Sequence, residues 1–204
     1  MNIGVLRETE TDNRVVITPD IVKSLVNLKT KVFIEKDAGI KATISDNQYV
    51  EAGAVIHDKK DILNNSDMIL KINSLTKDEL KNLKEGCVVV AAFNPMFNQD
   101  IVEMLVKQGI TSFSMELVPR ITRAQAMDIL SSMATVAGYK AVLDAAMHLP
   151  KFFPMFMSAA GTIKPAKVLI LGAGVAGLQA IAVSRKLGAV VEVFDVRSAV
   201  KEEV

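Results

Sequence analysis

A glycine-rich turn is the pattern whose residue types and spacing most clearly predict chemistry. Gly172, Gly174 and Gly177 follow the apolar run Lys167 to Leu171 and open a second apolar stretch, which is the strand, G-x-G-x-x-G and helix order of a dinucleotide-binding turn. The first glycine permits a tight turn, the second lets the backbone approach a pyrophosphate, and the third allows close helix packing. The N–H groups that open the helix favour a phosphate. We therefore predict cofactor binding by residues of this turn: Gly172, Ala173, Gly174, Val175 and Gly177.

An acidic residue extends this pattern. Asp195 follows the next predicted strand, Val190 to Phe194, and lies 18 residues after Gly177. A carboxylate at this place can accept hydrogen bonds from both adenosine ribose hydroxyls and would repel a 2′-phosphate, which favours NAD over NADP. Two alternatives stay open: Asp195 is only a turn cap, or Arg197 meets a 2′-phosphate. We predict NAD as the cofactor, contacted by Asp195, Val196 and Arg197.

Composition excludes several other kinds of site. Lys plus Arg number 24 and Asp plus Glu number 23, a formal charge of +1, so no general field attracts nucleic acid. Cys87, His57 and His148 are the only cysteine and histidines, too few for a thiolate or imidazole metal cluster. No signal peptide is visible at the amino terminus. The most apolar segment, 168–183, has 16 residues and is shorter than the roughly 18 to 20 that span a bilayer, which predicts a soluble chain.

The elements that must position these residues alternate between short apolar runs and helical periodicity, an α/β pattern. Several of the runs are continuously apolar, as in parallel strands covered on both faces. The predicted strands are 3–5, 31–35, 68–72, 87–93, 111–115, 168–171 and 190–194. Helix signals include Thr18-Pro19, a capping box over Thr76 to Glu79, and a stop at Gly109. The fold class we predict is therefore α/β with two doubly wound parallel-sheet units.

A long helical stretch is predicted from about Arg123 to Leu149. Within 131–146, eight of sixteen residues are Ala, Gly or Ser, so this helix can pack its backbone closely. Prolines and a glycine then punctuate a connection before the strand that starts at Lys167. We predict an amino-terminal α/β domain over 1–130, a linking helix and connection over 131–165, and the start of a Rossmann-type domain over 166–204.

The 204 residues provide only the first strand, helix and second strand of that Rossmann unit. Half of such a fold needs at least a third strand. We therefore expect the second unit to be incomplete, with an uncovered strand edge and apolar helix face. Reduced stability and weak NADH affinity are the expected consequences for this chain alone.

Four stretches carry a resemblance to a known family. MELVPRITRAQAMDILSSMATVAGYKAV (115–142), AAGTIKPAKVLILGAGVAGLQAIA (159–182) and the amino-terminal GVLRET and NRVVITPDIV resemble the NAD(H)-binding domain in the alpha subunit of the proton-translocating nicotinamide nucleotide transhydrogenases. The amino-terminal stretches are shared with alanine dehydrogenases. The resemblance covers essentially the whole chain.

The resemblance implies that the Pro119 to Asp128 loop lies over the nicotinamide end of the cofactor. Arg120, Gln125 and Asp128 match the family's polar residues there, and we predict them as catalytic residues. Hydride passage between two nicotinamides needs alignment rather than a general base, which polar positioning groups can provide. Without the resemblance, this stretch is typical of a solvated first helical turn. Further predicted cofactor contacts in this region are Arg120, Ile121, Thr122, Arg123, Gln125, Asp128 and Ser131.

Alanine dehydrogenase is the main alternative, because the two families share a fold and the region of Arg14. Resemblance to that family implies an arginine, a lysine and a histidine that engage a keto acid. Arg14 matches the arginine. Asn73 stands in the place of the lysine, and Asn94-Pro95 follows the strand where a histidine is expected. An amino-acid dehydrogenase must move protons as well as hydride, and these departures therefore favour transhydrogenase. A nucleotide-binding or assembly module without turnover is the third possibility.

The transhydrogenase resemblance also implies partners. The family's domain dimerises, exchanges hydride with a separate NADP(H)-binding domain, and lies on the cytoplasmic or matrix face of a membrane domain that conducts protons. We therefore expect NAD(H) on this chain, NADP(H) on a partner domain, a homodimer, and a cytoplasmic location peripheral to the inner membrane through partner subunits.

Overall fold

A computed structural model describes residues 1–198 and 200. The chain divides into two compact units, Met1–Met127 and Asp128–Val204. Among the helices of the described residues, none combines the length and apolar character needed to cross a membrane.

The first unit is built on a parallel sheet whose strands run in the order β3-β2-β1-β4-β5-β6. The order reverses between β1 and β4, which is the doubly wound arrangement that places ligand sites at the carboxyl ends of the strands. The α/β class is confirmed. The strands are β1 Asn2–Val5, β2 Lys31–Glu35, β3 Val55–His57, β4 Met68–Asn73, β5 Val88–Ala92 and β6 Thr111–Ser114.

Helices connect successive strands of this sheet. Their ends follow the predicted signals: Pro19 opens the first, and Gly109 follows the last with a φ of 63°. The Thr76 capping box is formed, because Glu79 N donates to Thr76 Oγ1 at 3.2 Å and Thr76 N donates to Glu79 Oε2 at 2.8 Å. The helices are α1 Pro19–Asn27, α2 Asp46–Glu51, α3 Lys59–Asn65, α4 Lys77–Lys81 and α5 Gln99–Lys107.

Apolar clusters cover the sheet on both faces. Two neighbouring residues belong to different clusters: Val5 packs in one, and Leu6 packs in the other. Cys87 is buried, and burial raises the pKa of its thiol to about 11, so it acts as a small core side chain.

The sequence did not predict β3, because three residues are too few to show a strand pattern.

The second unit pairs a long helix with a strand, helix and strand. The predicted stretch from Arg123 divides in two: 122–127 form a 3-10 helix, and the α-helix starts only at Ile129. A two-stranded hairpin lies inside the predicted connection. The elements are α6 Ile129–His148, β7 Phe156–Ser158, β8 Gly161–Ile163, β9 Lys167–Leu171, α7 Val175–Lys186 and β10 Val190–Phe194; β7 and β8 are antiparallel, β9 and β10 parallel.

Candidate functional site

The glycine-rich turn joins β9 to α7 as the sequence predicts. Gly172 has a φ of 99°, which is a left-handed conformation that favours glycine. Its N–H donates to Phe194 O at 2.7 Å, so the turn is tied to the end of β10. Gly174 is the N-cap residue of α7, and a Cβ atom there would meet no atom of the described residues within 4 Å. The backbone at Gly174 thus leaves room for a ligand.

The start of α7 can accept an anion. Within the described part of the chain, no side chain caps this end of the helix, and its first turn contains no acidic residue. The first N–H groups of a helix have no partner within the helix, and its dipole is positive there. A pyrophosphate at Gly174 would supply acceptors for these donors, so the turn fits the phosphates of a dinucleotide.

Gly177 is required by the compactness of the turn. A Cβ atom at Gly177 would lie 1.9 Å from the carbonyl oxygen of Gly172 and 2.9 Å from its carbonyl carbon. The nearest side-chain atom, Ile170 Cγ2, would be 3.8 Å away. The third glycine therefore permits the helix to fold back against the turn itself, more closely than against the strand.

Asp195 is brought to the turn by a hydrogen bond. Its Oδ2 accepts from Ala173 N at 2.8 Å, and its Oδ1 accepts from Arg197 N at 2.8 Å. The guanidinium of Arg197 donates to both oxygens, from Nε at 3.1 Å and from Nη2 at 3.0 Å. The hydrogen bond from that guanidinium is the main cause that lowers the pKa of Asp195. Adenosine ribose hydroxyls would therefore have to share the Asp195 carboxylate with the Arg197 guanidinium, or displace that guanidinium from it.

Asp128 caps the start of α6. Its Oδ1 accepts from Leu130 N at 3.0 Å and Ser131 N at 2.9 Å, and its Oδ2 accepts from Ser131 Oγ at 2.7 Å. An Asp at the N-cap satisfies N–H groups that the helix leaves unpaired, which explains why α6 begins here and not at Arg123. The residue is 8% exposed. Asp128 and Ser131 thus form one hydrogen-bonded pair at the end of a helix.

The loop before Asp128 presents its polar side chains outward. Arg120 precedes the 3-10 helix 122–127, and Gln125 lies within it; both are exposed, as are Thr122 and Arg123. Ala124 is buried and anchors this short helix, with Ala124 N donating to Ile121 O at 2.9 Å. The side chains of Arg120 and Gln125 are thus exposed at the end of the first unit.

The carboxyl ends of β1 and β4 in the first unit hold a hydrogen-bonded polar cluster. Glu8, 7% exposed, accepts from Ile72 N at 2.6 Å and from Asn73 N at 3.2 Å. Asn73 Nδ2 donates to Glu8 Oε2 and to Asp12 Oδ2, both at 2.8 Å. The crevice where the strand order reverses is therefore bridged by side chains of the protein.

Arg14 belongs to the same cluster. Its Nε donates to Asp12 Oδ1 at 2.9 Å, and its Nη2 donates to Asp12 Oδ2 at 2.6 Å. The hydrogen bond from Arg14 is the main cause that lowers the pKa of Asp12. The arginine that matches the keto-acid arginine of alanine dehydrogenases thus forms a bidentate pair with a carboxylate. Asn73, in place of the lysine, adds no positive charge.

Hydrogen bonds join several of the predicted residues. Gly172, Ala173, Asp195 and Arg197 are joined by hydrogen bonds or by the turn; Asp128 and Ser131 are joined at α6; Arg120 and Gln125 lie on the exposed loop of the first unit. Sequence reasoning did not single out Glu8. Its position three residues after the end of the strand Asn2–Val5 is the signal that could have found it, because carboxyl ends of parallel strands gather at one edge.

Comparisons with known proteins cover nearly the whole chain. The family model described as "Alanine dehydrogenase/PNT, N-terminal domain" matches residues 4–137, and "Alanine dehydrogenase/PNT, C-terminal domain" matches residues 141–204. The NAD(P) transhydrogenase subunit alpha of Haemophilus influenzae is 45% identical over 205 residues, which cover 100% of this chain and 40% of that protein. The chain therefore spans less than half the length of this relative.

Solved structures show the same fold. A transhydrogenase from Sinorhizobium meliloti superposes with a TM-score of 0.96 at 43% identity, covering 100% of this chain and 59% of that one. An L-alanine dehydrogenase superposes with a TM-score of 0.86 at 29% identity, covering 98% of this chain and 56% of that one.

Proposed function

The chain belongs to the alanine dehydrogenase/PNT family, and we propose that it is the NAD(H)-binding component of a proton-translocating NAD(P) transhydrogenase. In this proposal it transfers hydride between NAD(H) and NADP(H) held on a partner domain. The observation that carries the proposal is the geometry of the glycine-rich turn. A Cβ atom at Gly174 would meet no atom of the described residues within 4 Å, and the carboxylate of Asp195 accepts a hydrogen bond from Ala173 N at 2.8 Å. The transhydrogenase relatives, more similar in sequence than the alanine dehydrogenase, support the choice of activity.

In this proposal, different site residues bind different parts of the NAD(H) molecule. The first turn of α7 holds the pyrophosphate through its N–H groups, and Asp195 accepts from the adenosine ribose. Arg120, Gln125 and Asp128 hold the nicotinamide end, with Arg120 as donor, Gln125 as donor and acceptor, and Asp128 as acceptor. When bound, NAD(H) supplies the hydride. The remaining proposed contacts are Ile121, Thr122, Arg123, Ser131, Val175, Val196 and Arg197.

Alignment is what these side chains contribute. Transfer of a hydride between two nicotinamide rings releases no proton, so the site needs no general acid or base. Holding the reacting atoms at near contact accounts for much of the rate. The exposed amide of Gln125 and guanidinium of Arg120 are suited to positioning, and none of the proposed catalytic residues is a histidine or lysine.

The alanine dehydrogenase alternative is disfavoured by the polar cluster of the first unit. Arg14 is engaged by Asp12, and Asn73 bridges Asp12 and Glu8 at 2.8 Å. A keto acid would have to displace an internal carboxylate to reach Arg14. Position 73 offers no lysine that could exchange a proton with the nitrogen of an amino acid or its imine. We expect no oxidation of L-alanine with NAD.

Replacement of Gln125 by asparagine tests the nicotinamide end of the site. Shortening the amide by one carbon leaves the turn and Asp195 untouched, so we expect NADH affinity to stay within about twofold and hydride transfer to fall by about 10- to 100-fold, since small misplacements slow positioned reactions strongly. The measurement is transfer from NADH to a nicotinamide analogue in the presence of an NADPH-binding partner domain. Gln99→Asn, the same change at an exposed residue of α5, is the matched control. An unchanged rate in Gln125→Asn removes Gln125 from the site.

We also propose that the chain assembles as a homodimer beside its membrane partner, at the cytoplasmic face of the membrane. Two features of the second unit support self-association. Every residue of the β7–β8 hairpin is exposed, although a hairpin alone is marginally stable in water. The outer side of α6 is also apolar, with Val136 54% and Met147 80% exposed. Exposed apolar surfaces of this kind mark association sites.

The hairpin provides a test of that dimer. Met157 is 74% exposed and Phe156 is 48% exposed, so their replacement by serine removes apolar contact area without emptying a core. We expect the double variant to dissociate at protein concentrations where the wild type is a dimer, measured by sedimentation equilibrium. Val106→Ser, at a residue of α5 that is also 74% exposed, should leave the dimer intact. A wild type that is monomeric, or an unaffected double variant, contradicts this assembly.

A further inference from the structure

Gly138 lies where the backbones of α6 and α7 approach each other. A Cβ atom on Gly138 would lie 2.1 Å from the carbonyl oxygen of Ala176 and 2.9 Å from its carbonyl carbon. Both contacts are to backbone, which cannot rotate away as a flexible side chain does. Any larger residue at position 138 must therefore shift one helix relative to the other.

The partner in this contact belongs to the phosphate-binding turn. Ala176 lies in the first turn of α7, between Gly174 and Gly177. A Cβ atom added to Gly177 would likewise lie too close to backbone, 1.9 Å from the carbonyl oxygen of Gly172. The start of α7 thus has close backbone neighbours at two places, one in the turn and one in α6.

The same helix α6 carries other residues of the site. Asp128 and Ser131 form its hydrogen-bonded start, and Ser131 precedes Gly138 by seven residues, about 10 Å along a helix. The helix is continuous over Ile129–His148. A shift at Gly138 is therefore transmitted to Asp128 and Ser131.

We propose that Gly138 is a positioning residue of the dinucleotide site: it fixes the distance between the glycine-rich turn and the capped start of α6. This inference rests on the proposed function, in which one NAD(H) contacts both places. A ligand that contacts only the turn and Asp195 is insensitive to this distance, whereas a ligand that contacts both is sensitive.

The test compares two ligands on the full chain carrying Gly138→Ala. ADP has the adenosine ribose and the phosphates; NADH has in addition the nicotinamide nucleoside. We expect the Kd of NADH to rise about tenfold, since the loss of one hydrogen bond at the nicotinamide end costs about that much in affinity, and the Kd of ADP to change less than about twofold. Kd values come from NADH fluorescence and calorimetry. Ala137→Ser, which adds one heavy atom at the neighbouring exposed residue, is the control.

A purely structural role of Gly138 predicts a different result. The Tm falls, but the ratio of the two Kd values stays as in the wild type, and that result overturns the proposal. If Gly138→Ala does not fold, Ala180→Val is the second test of the same distance, because Ala180 packs against the cluster that contains Val142 of α6. Ala180→Val should raise the Kd of NADH more than the Kd of ADP. An unchanged ratio of the two Kd values overturns the proposal. A wild type that binds no NADH contradicts the proposed function itself.

Discussion

Replacing Gly177 by alanine is expected to weaken NADH binding by about 100-fold. The added Cβ would lie 1.9 Å from Gly172 O, so the turn and the start of α7 must separate by roughly 1 Å. N–H donors displaced by this distance no longer hydrogen-bond the pyrophosphate, and each lost hydrogen bond to a charged group costs about 1.5–3 kcal/mol, roughly 10- to 100-fold in affinity. Movement of the helix is limited on another side by Gly138, where α6 already lies against Ala176. Equilibrium titration of NADH fluorescence measures the effect.

The control for this variant separates loss of binding from general strain. Gly109→Ala also replaces a glycine, with a φ of 63° and no atom of the described residues within 4 Å of an added Cβ, but it lies in the first unit and far along the chain from the turn. We expect it to lower stability modestly and to leave the Kd of NADH unchanged. Equal NADH affinity in Gly177→Ala and wild type would show that the cofactor does not use this turn.

Replacing Glu79 by methionine is expected to reduce the free energy of unfolding by about 3–5 kcal/mol. Glu79 and Lys71 form a buried ion pair, with Nζ and Oε2 2.9 Å apart and side chains 6% and 2% exposed. Lys59 Nζ also reaches Glu79 Oε1, at 3.1 Å. Methionine has a similar volume but leaves the Lys71 ammonium buried without its carboxylate, and such a charge is strongly destabilising. Urea unfolding followed by circular dichroism measures the loss.

The double variant Lys71→Met and Glu79→Met is the decisive comparison. Removing both charges together leaves neither member of the buried pair without its partner, so the double variant should recover most of the stability that Glu79→Met loses. If the two variants are equally unstable, the loss comes from packing or from the capping box of Thr76 rather than from the charge of Lys71.

Acidification should weaken the same pair. Burial raises the pKa of Glu79, but the hydrogen bonds from Lys71, Thr76 N and Lys59, together with the Lys71 charge, bring it below its ordinary value. A carboxyl whose folded pKa is depressed contributes its full stability above the unfolded pKa of about 4.3 and loses it as the pH falls through the folded value. The stability difference between wild type and Glu79→Met should therefore shrink below about pH 4.

Much of the fold follows from local patterns, because long apolar runs and capping residues are local signals. The capping box at Thr76 and the glycine turn at Gly172 both form as the sequence predicts. The strand Val55–His57 and the hairpin Phe156–Ser158 with Gly161–Ile163 do not show in the sequence, because three residues cannot establish a period. Their pairing is decided by tertiary contacts.

The site is predictable in its residue types but less so in their partners. The spacing of Gly177 and Asp195 indicates a ribose carboxylate, yet only the structure shows that Arg197 donates to both of its oxygens. Asp128 is of a residue type preferred at the N-cap, but the helical stretch predicted from Arg123 runs across it, and its capping of Leu130 and Ser131 emerges only in three dimensions. Gly138 is one small residue among many in α6; its contact with Ala176 depends on how two helices pack.

The most direct test of the proposed activity follows the hydride itself. With NADH deuterated at the transferred position of C4, and a partner domain that holds NADP, direct transfer predicts that the deuterium appears in NADPH with no loss to solvent, because no side chain acts as a base on that carbon. Product without deuterium, or no transfer while L-alanine reduces NAD, would contradict the account.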